Sequence, residues 1–325
     1  MKTSIKNKLC RIQYFPVSFF SVILGLGGFT IALQKVEELL EMSFQISLFF
    51  LCSTAILFII IALLYGYKMV TYPNDVRAEF LHPVKINFFP TFSISLLLLS
   101  ISLLHIYPSI SELLWIVGSI IHFIFTLLIL SIWMQHTHFD ITHINPSWFI
   151  PVVGNILVPV AGHVHASPEI SWFFFSIGFI FWIALFTIFF YRVIFHAPLA
   201  QKLYPTLFIL IAPPAIGFIS YVKLTGEADV FARILYYIAF FLATLLVFQA
   251  RVFVKIKFYL SWWAYSFPTA AITIASILMY HMTDYRFFFF VSLCFSISLT
   301  ILILLLAILT IRAVVRKEIC VEESA

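Results

Sequence analysis

Ten apolar runs joined by short loops take up most of this 325-residue chain, and each is close to the ~20 residues that a bilayer's hydrocarbon core asks of a helix. They cover residues 15–33, 43–67, 86–106, 113–134, 148–166, 171–191, 204–222, 230–252, 262–281 and 287–311. With 63% hydrophobic residues, 10% charged and a mean hydropathy of +1.09, the chain has more apolar surface than a water-soluble core could hide. Lipid offers the backbone no hydrogen bonds, so each run reads as a transmembrane helix. The expected fold is an all-α polytopic membrane protein with the lipid bilayer as its first partner. It forms one domain, 1–325, with a short leader (1–14) and a tail (312–325). The first run follows a basic leader (Lys2, Lys6, Lys8, Arg11), but it is too long for a signal-peptide core and lacks a convincing cleavage site, so it reads as a retained helix.

Basic residues set the orientation, because Lys and Arg are held on the cytoplasmic side. An N-terminus inside leaves only Lys35, Lys223, Arg233 and Arg286 of the 19 basic residues on the outer side. Both termini are then cytoplasmic, as an even number of crossings requires. The net charge of +5 is therefore an orientation signal; no basic face exists for nucleic acid. Cys10, Cys52, Cys294 and Cys320 are scattered and form neither a disulfide framework nor a metal-ligand spacing.

Proline adds a second period. Pro16, Pro90, Pro151, Pro159, Pro205, Pro213, Pro214 and Pro268 fall within the first, third, fifth, seventh and ninth runs, and none falls within an even one. A proline in a membrane helix frees a carbonyl that lipid cannot satisfy, so bent helices belong where protein or water takes over. Six glycines, among them Gly25 and Gly154, share the odd runs. The odd helices read as an inner, kinked layer and the even ones as an outer wall: five helical hairpins around a central pore. In the ninth run Pro268 directly follows Phe267, which sets an apolar ring at a bend near mid-membrane; in a chain with 39 phenylalanines, lipid-facing packing is the competing reading.

No Lys, Arg, Asp or Glu lies mid-span, which removes proton relays and fixed counter-ions from any passage. What remains as polar lining is freed carbonyls, Asn155 and the hydroxyls of Ser18, Ser266, Thr269 and Thr273. Such a pore passes a solute but holds it weakly. His136, His138, Asp140 and His143 cluster after the fourth run, yet the other histidines are single, so a solvated loop is favoured over a metal centre. Nucleophile elbows, phosphate loops and dinucleotide fingerprints are missing, so neither catalysis nor a cofactor is expected.

Several segments, in order, resemble the tellurite-resistance and dicarboxylate transporter family, which includes plant guard-cell slow anion channels. They are FPVSFF at Phe15–Phe20, VRAEF at Val76–Phe80, HPV at His82–Val84, NPSWFIPVVGN at Asn145–Asn155 and WWAYSFP at Trp262–Pro268. The resemblance implies ten helices in five hairpins, a homotrimer, a bacterial inner-membrane location and a phenylalanine gate at Phe267 positioned by Pro268. It also implies Ser18, Gly154 and Ala215 as neighbours of that ring, with Gly25 and Ser266 as further pore-lining candidates. Two functions follow from it: a passive channel for small anions, or a secondary carrier or exporter of C4-dicarboxylate, sulfite or tellurite-related oxyanions. Uncharged spans favour the channel, with easily dehydrated anions passing best. Arg77, Lys85, Arg251 and Lys255 on the inner side, and Lys223 and Arg233 on the outer, are the candidate entrance charges.

Overall fold

Each of the ten apolar runs folds as helix in a computed structural model that describes residues 12–135, 139–253 and 255–321. The segments are α1 (Val17–Leu39), α2 (Ile46–Thr71), α3 (Lys85–Leu103), α4 (Pro108–Gln135), α5 (Pro146–His165), α6 (Pro168–Phe195), α7 (Gln201–Thr225) and α8 (Val230–Phe248), followed by α9 (Ser266–Thr283) and α10 (Arg286–Val315). A short surface helix, Pro73–Leu81, links α2 to α3, and a single turn, Ala250–Phe253, follows α8. No strand occurs among the described residues.

Nine of these helices are long and apolar enough to cross a membrane, and α9 is the exception. It has 18 residues, about 27 Å at 1.5 Å per residue, and Thr269, Thr273, Ser276 and His281 dilute its apolar run. The run at 262–281 is in fact split: a 3-10 stretch, Leu260–Tyr265, leads into the α-helix.

The other odd segments are split in the same way. α1 opens with a 3-10 turn (Val17–Phe19), α3 with Lys85–Phe88 and α7 with eleven residues of 3-10 helix (Gln201–Ile211). α5 alternates 3-10 and α turns, with Pro151 in one short α turn and Pro159 opening the last. Prolines account for the breaks, because each lacks a donor and clashes with the preceding turn. Pro90 separates the two parts of α3, Pro205 lies within the 3-10 part of α7, and Pro213 and Pro214 stand in the first α turn that follows. Nearby hydroxyls take up backbone carbonyls: Ser93 donates to Pro90 O (2.8 Å), Ser266 to Trp263 O (2.6 Å) and Thr269 to Tyr265 O (2.7 Å).

The even helices are continuous and run to 30 residues in α10. Proline is not absent from them, as their sequence spans suggested. Pro108 and Pro168 open α4 and α6 at the first helical position, where a missing N–H costs nothing.

Consecutive segments pack as pairs, and the odd segments also touch in the order α1, α3, α5, α7, α9 and back to α1. Their apolar stretches are 67–83% buried in α1, α3, α5 and α7, against 17–39% in the even helices. Lipid tails are as apolar as leucine, so close packing rather than the hydrophobic effect holds such helices together. At the α1–α9 contact a Cβ on Gly25 would lie 2.2 Å from Ser266 Oγ and 2.7 Å from the Trp263 ring, so only glycine permits this approach.

Polar ties fix the ends. Lys68 Nζ, 2% exposed, stands 3.0 Å from Glu79 of the surface helix and donates to Phe15 O at 2.9 Å; Tyr65 adds a 2.9 Å hydrogen bond to the same carboxylate. The sequence places Lys68 in a loop, whereas α2 continues through it to Thr71. At the opposite end the buried Glu37 accepts from Ser47 N at 2.8 Å, which ties the α1–α2 connection.

Candidate functional site

Where the 3-10 turns of the odd segments pass into α-helix, their inner faces draw apart and enclose a cavity of about 80 Å³. All five segments contribute: Ser21 and Leu24 from α1, Phe88 and Ile94 from α3, a wall from Phe149 to Leu157 in α5, Ile209, Ala212, Pro213 and Ile216 from α7, and Trp263, Ala264, Phe267 and Pro268 from α9 and the turn before it. Among the described lining residues Ser21 carries the one hydroxyl, the Trp263 indole N–H is donated to Thr310 Oγ1 at 2.9 Å, and none is ionisable. The space is below that of a ligand pocket of several hundred Å³, but it exceeds the ~10–15 Å³ that one water occupies. A small ion would fit.

Phe267 is half-buried and stands on the wall of this cavity. Its ring also lies against α1, where a Cβ on Gly28 would come within 3.1 Å of Phe267 Cδ2 and 3.0 Å of Ala270 Cβ. Pro268, next in sequence, is buried and lines the cavity too. Farther along α9 and α7 the residues are packed: Ala270, Ala271, Thr273, Ala215 and Phe218 are all 0–1% exposed.

Of the sequence candidates, this cavity brings together Phe267, Pro268, Gly154 and Pro213. Ser18 lies half-buried in the 3-10 turn before Ser21, and Gly25 and Ser266 face each other at the helix contact. Ala215 is in the core between the lining residues Ala212 and Ile216. The hydroxyls of Ser266, Thr269 and Thr273 are taken by carbonyls of their own helix, and Asn155 donates to Thr126 Oγ1 and Val152 O. The wall is therefore more apolar than the sequence suggests.

Among the charges, Arg77, Arg251, Lys255 and Lys223 are exposed and Lys85 is half-buried three residues before Phe88. Arg233 stands in a shallow groove of about 450 Å³ on the exposed side of α8, among Val230, Ile234, Tyr237 and Phe241, away from the cavity. His136 and His138 lie outside the described residues. Asp140 caps a 3-10 turn, accepting from Thr142 N, and no group of metal-ligating side chains occurs among the described residues.

One residue that sequence reasoning passed over stands just behind the cavity wall. His122 of α4 is fully buried; its Nδ1 lies 2.9 Å from Ser93 Oγ of α3, and its Nε2 has no partner. The ring fills the space where a Gly154 side chain would be, since a Cβ there would lie 2.6 Å from Nε2. Its hydrogen-bond partner is 29 residues away, so no local spacing marks it.

The plant S-type anion channel SLAH3 of Arabidopsis thaliana is 31% identical over 273 residues, 81% of this chain and 42% of its own length. An uncharacterized transporter of Methanocaldococcus jannaschii is 25% identical over 299 residues (85% of this chain, 87% of the relative). A tellurite resistance protein TehA homolog of Haemophilus influenzae is 27% identical over 271 residues (82% and 81%). The chain thus spans about half or less of the plant relative and most of the archaeal and bacterial ones. Residues 14–311 match the family described as voltage-dependent anion channel, SLAC1, and the chain belongs to that family.

Proposed function

We propose that this protein is an anion channel of a bacterial inner membrane, in which ten helices cross the bilayer as five hairpins with both termini in the cytoplasm. Three such chains form a homotrimer, each with its own pore along the axis of the odd helices. Phe267 is the gate. The observation that carries this reading is the cavity itself: five inner segments meet around it, its wall is apolar and uncharged, and the Phe267 ring stands at its edge against packed helix. A passage lined in this way offers an anion weak dipoles instead of water, which suits conduction of easily dehydrated species. A coupled carrier for dicarboxylates or sulfite would need a titratable group in the path, and the cavity wall has none.

The ring blocks by volume, and swinging it aside by about 30° from its rotamer costs of order 0.5–1.5 kcal/mol. In planar bilayers Phe267→Ala therefore raises anion conductance about tenfold, the factor that 1.4 kcal/mol represents. Phe267→Leu gives a smaller gain, and alanine at Phe290, 62% exposed on α10, gives none. A Phe267→Ala protein that assembles normally yet conducts like the parent would return the ring to plain packing. Saturating, proton-linked uptake would favour the carrier.

A further inference from the structure

α6 ends on a buried cation that has no counter-charge. Arg192 stands in its last turn and is 3% exposed. Its Nη2 reaches only the Thr142 carbonyl, at 3.5 Å, while Nε and Nη1 have no partner. No described carboxylate lies within ion-pair distance of it. Asp140, two residues before Thr142, is occupied elsewhere: the Thr142 N–H donates to it at 2.9 Å and holds its carboxyl below the usual range.

Two more buried nitrogens around the same loop are unpartnered, Trp133 Nε1 at the end of α4 and His196 Nε2 just after α6. Trp133 stacks on Trp148 at 4.4 Å, and Trp148 Nε1 donates to His143 O at 3.1 Å, which places Trp133 beside the loop that touches Arg192. His196 lies within electrostatic reach of Asp140.

A basic side chain at a helix C-terminus is ordinarily explained by the helix dipole, with its head in water. Here the head is covered. A buried guanidinium with open donors is costly unless a counter-charge with several acceptor oxygens completes it, and arginine's planar fork suits such a group. We propose that Arg192, with His196 one turn farther along and Trp133 packed against the same loop, binds a phosphate-type oxyanion at the end of α6, apart from the conduction cavity. A lipid headgroup and a soluble phosphate share this chemistry. The exposed Ile194 and Phe195 next to the site put it at the edge of the membrane, within reach of either source.

The full-length protein, stripped of lipid in maltoside micelles, tests this without any measurement of conduction. The thermal unfolding midpoint is followed for wild type, Arg192→Gln and Arg192→Lys with dioleoylphosphatidylglycerol, with inorganic phosphate, and with chloride at matched ionic strength. At about tenfold excess over half-saturation the wild-type midpoint rises by about 2–4 °C with at least one phosphate source. Arg192→Lys shifts less and Arg192→Gln not at all. A response to the lipid alone assigns the site to a headgroup, and a response to inorganic phosphate assigns it to a soluble oxyanion. Without ligand, Arg192→Gln unfolds no earlier than wild type, because it removes an uncompensated charge. The proposal is overturned by no shift in either phosphate arm, an equal shift with chloride or in Arg192→Gln, or a ligand-free Arg192→Gln protein less stable than the parent.

Discussion

α10 runs for 30 residues without a break and buries few of them, whereas α9 has 18, buries most of them and begins only after six residues of 3-10 helix. Both come from apolar runs of similar appearance. The difference lies in what surrounds them. A lipid-facing segment must satisfy every backbone group within itself, so it becomes one unbroken α-helix, with proline confined to its first position. A segment enclosed by other helices tolerates 3-10 turns, prolines and hydroxyls bonded to carbonyls, and its irregular half is where the cavity forms. Irregular backbone marks the layer that lines the cavity.

The widest departure from this contrast is Lys68, a buried charge on an even helix, and it should give the largest effect on stability. Removing one partner of a buried ion pair strands the other, so Lys68→Ala should cost about 3–5 kcal/mol, whereas Lys68→Met with Glu79→Leu should cost far less. Unfolding in mixed micelles measures both. If Lys68→Ala unfolds like wild type, the link between α2, the surface helix and Phe15 O contributes little.

How much of this layering was legible in the sequence follows from where the chemistry resides. Proline's missing donor is a property of the residue itself, so Pro90, Pro205, Pro213 and Pro268 announce the broken helices without any tertiary information. The face each segment turns inward is another matter. An α-helix advances about 100° per residue and a 3-10 helix about 120°, so six residues of 3-10 helix rotate every later side chain by about 120°. Ser266, which meets Gly25, and Phe267 and Pro268, which reach the cavity, all follow that stretch, so the direction each of them faces depends on it. Positions such as Ala215 were assigned by likeness to a family, which transfers a neighbourhood better than a direction. His122 and Arg192 were illegible for a third reason: what distinguishes them is the absence of partners, and only packing reveals that.

Glycine sharpens the same comparison at smaller magnitude. Gly25 of α1 meets Ser266 and Trp263, and overpacking such a contact costs about 1–3 kcal/mol, so Gly25→Ala should destabilise by that amount. Removing the Ser266 hydroxyl should recover part of the loss, because the two positions share one space. Gly66 of α2 has nothing within 4 Å of its would-be Cβ. Gly66→Ala should instead stabilise by about 0.5–1 kcal/mol through helix propensity. The same substitution is thus expected to change sign between a glycine at a tight helix contact and one with open space beside it, and equal signs would remove the distinction between these two sites.

The smallest effect concerns charges at the ends of the bundle, where the comparison is between two residues of the connection into α9 and one on the exposed side of α8. Arg251 and Lys255 are exposed where the chain leaves α8 for the 3-10 stretch that leads into α9, while Arg233 sits in the lateral groove of α8. An exposed charge near a mouth concentrates anions through its field without binding them, and that field reaches about 10 Å at 0.1 M salt but about 3 Å at 1 M. Neutralising Arg251 and Lys255 together should therefore lower single-channel conductance about twofold in dilute salt and leave it unchanged at 1 M. Arg233→Gln should alter neither value, because its groove on the exposed side of α8 shares no lining residue with the cavity. Equal losses at both ionic strengths for the double variant would indicate damage to packing, and a salt-dependent loss in Arg233→Gln would place the entrance along α8 rather than at the ends of the inner helices.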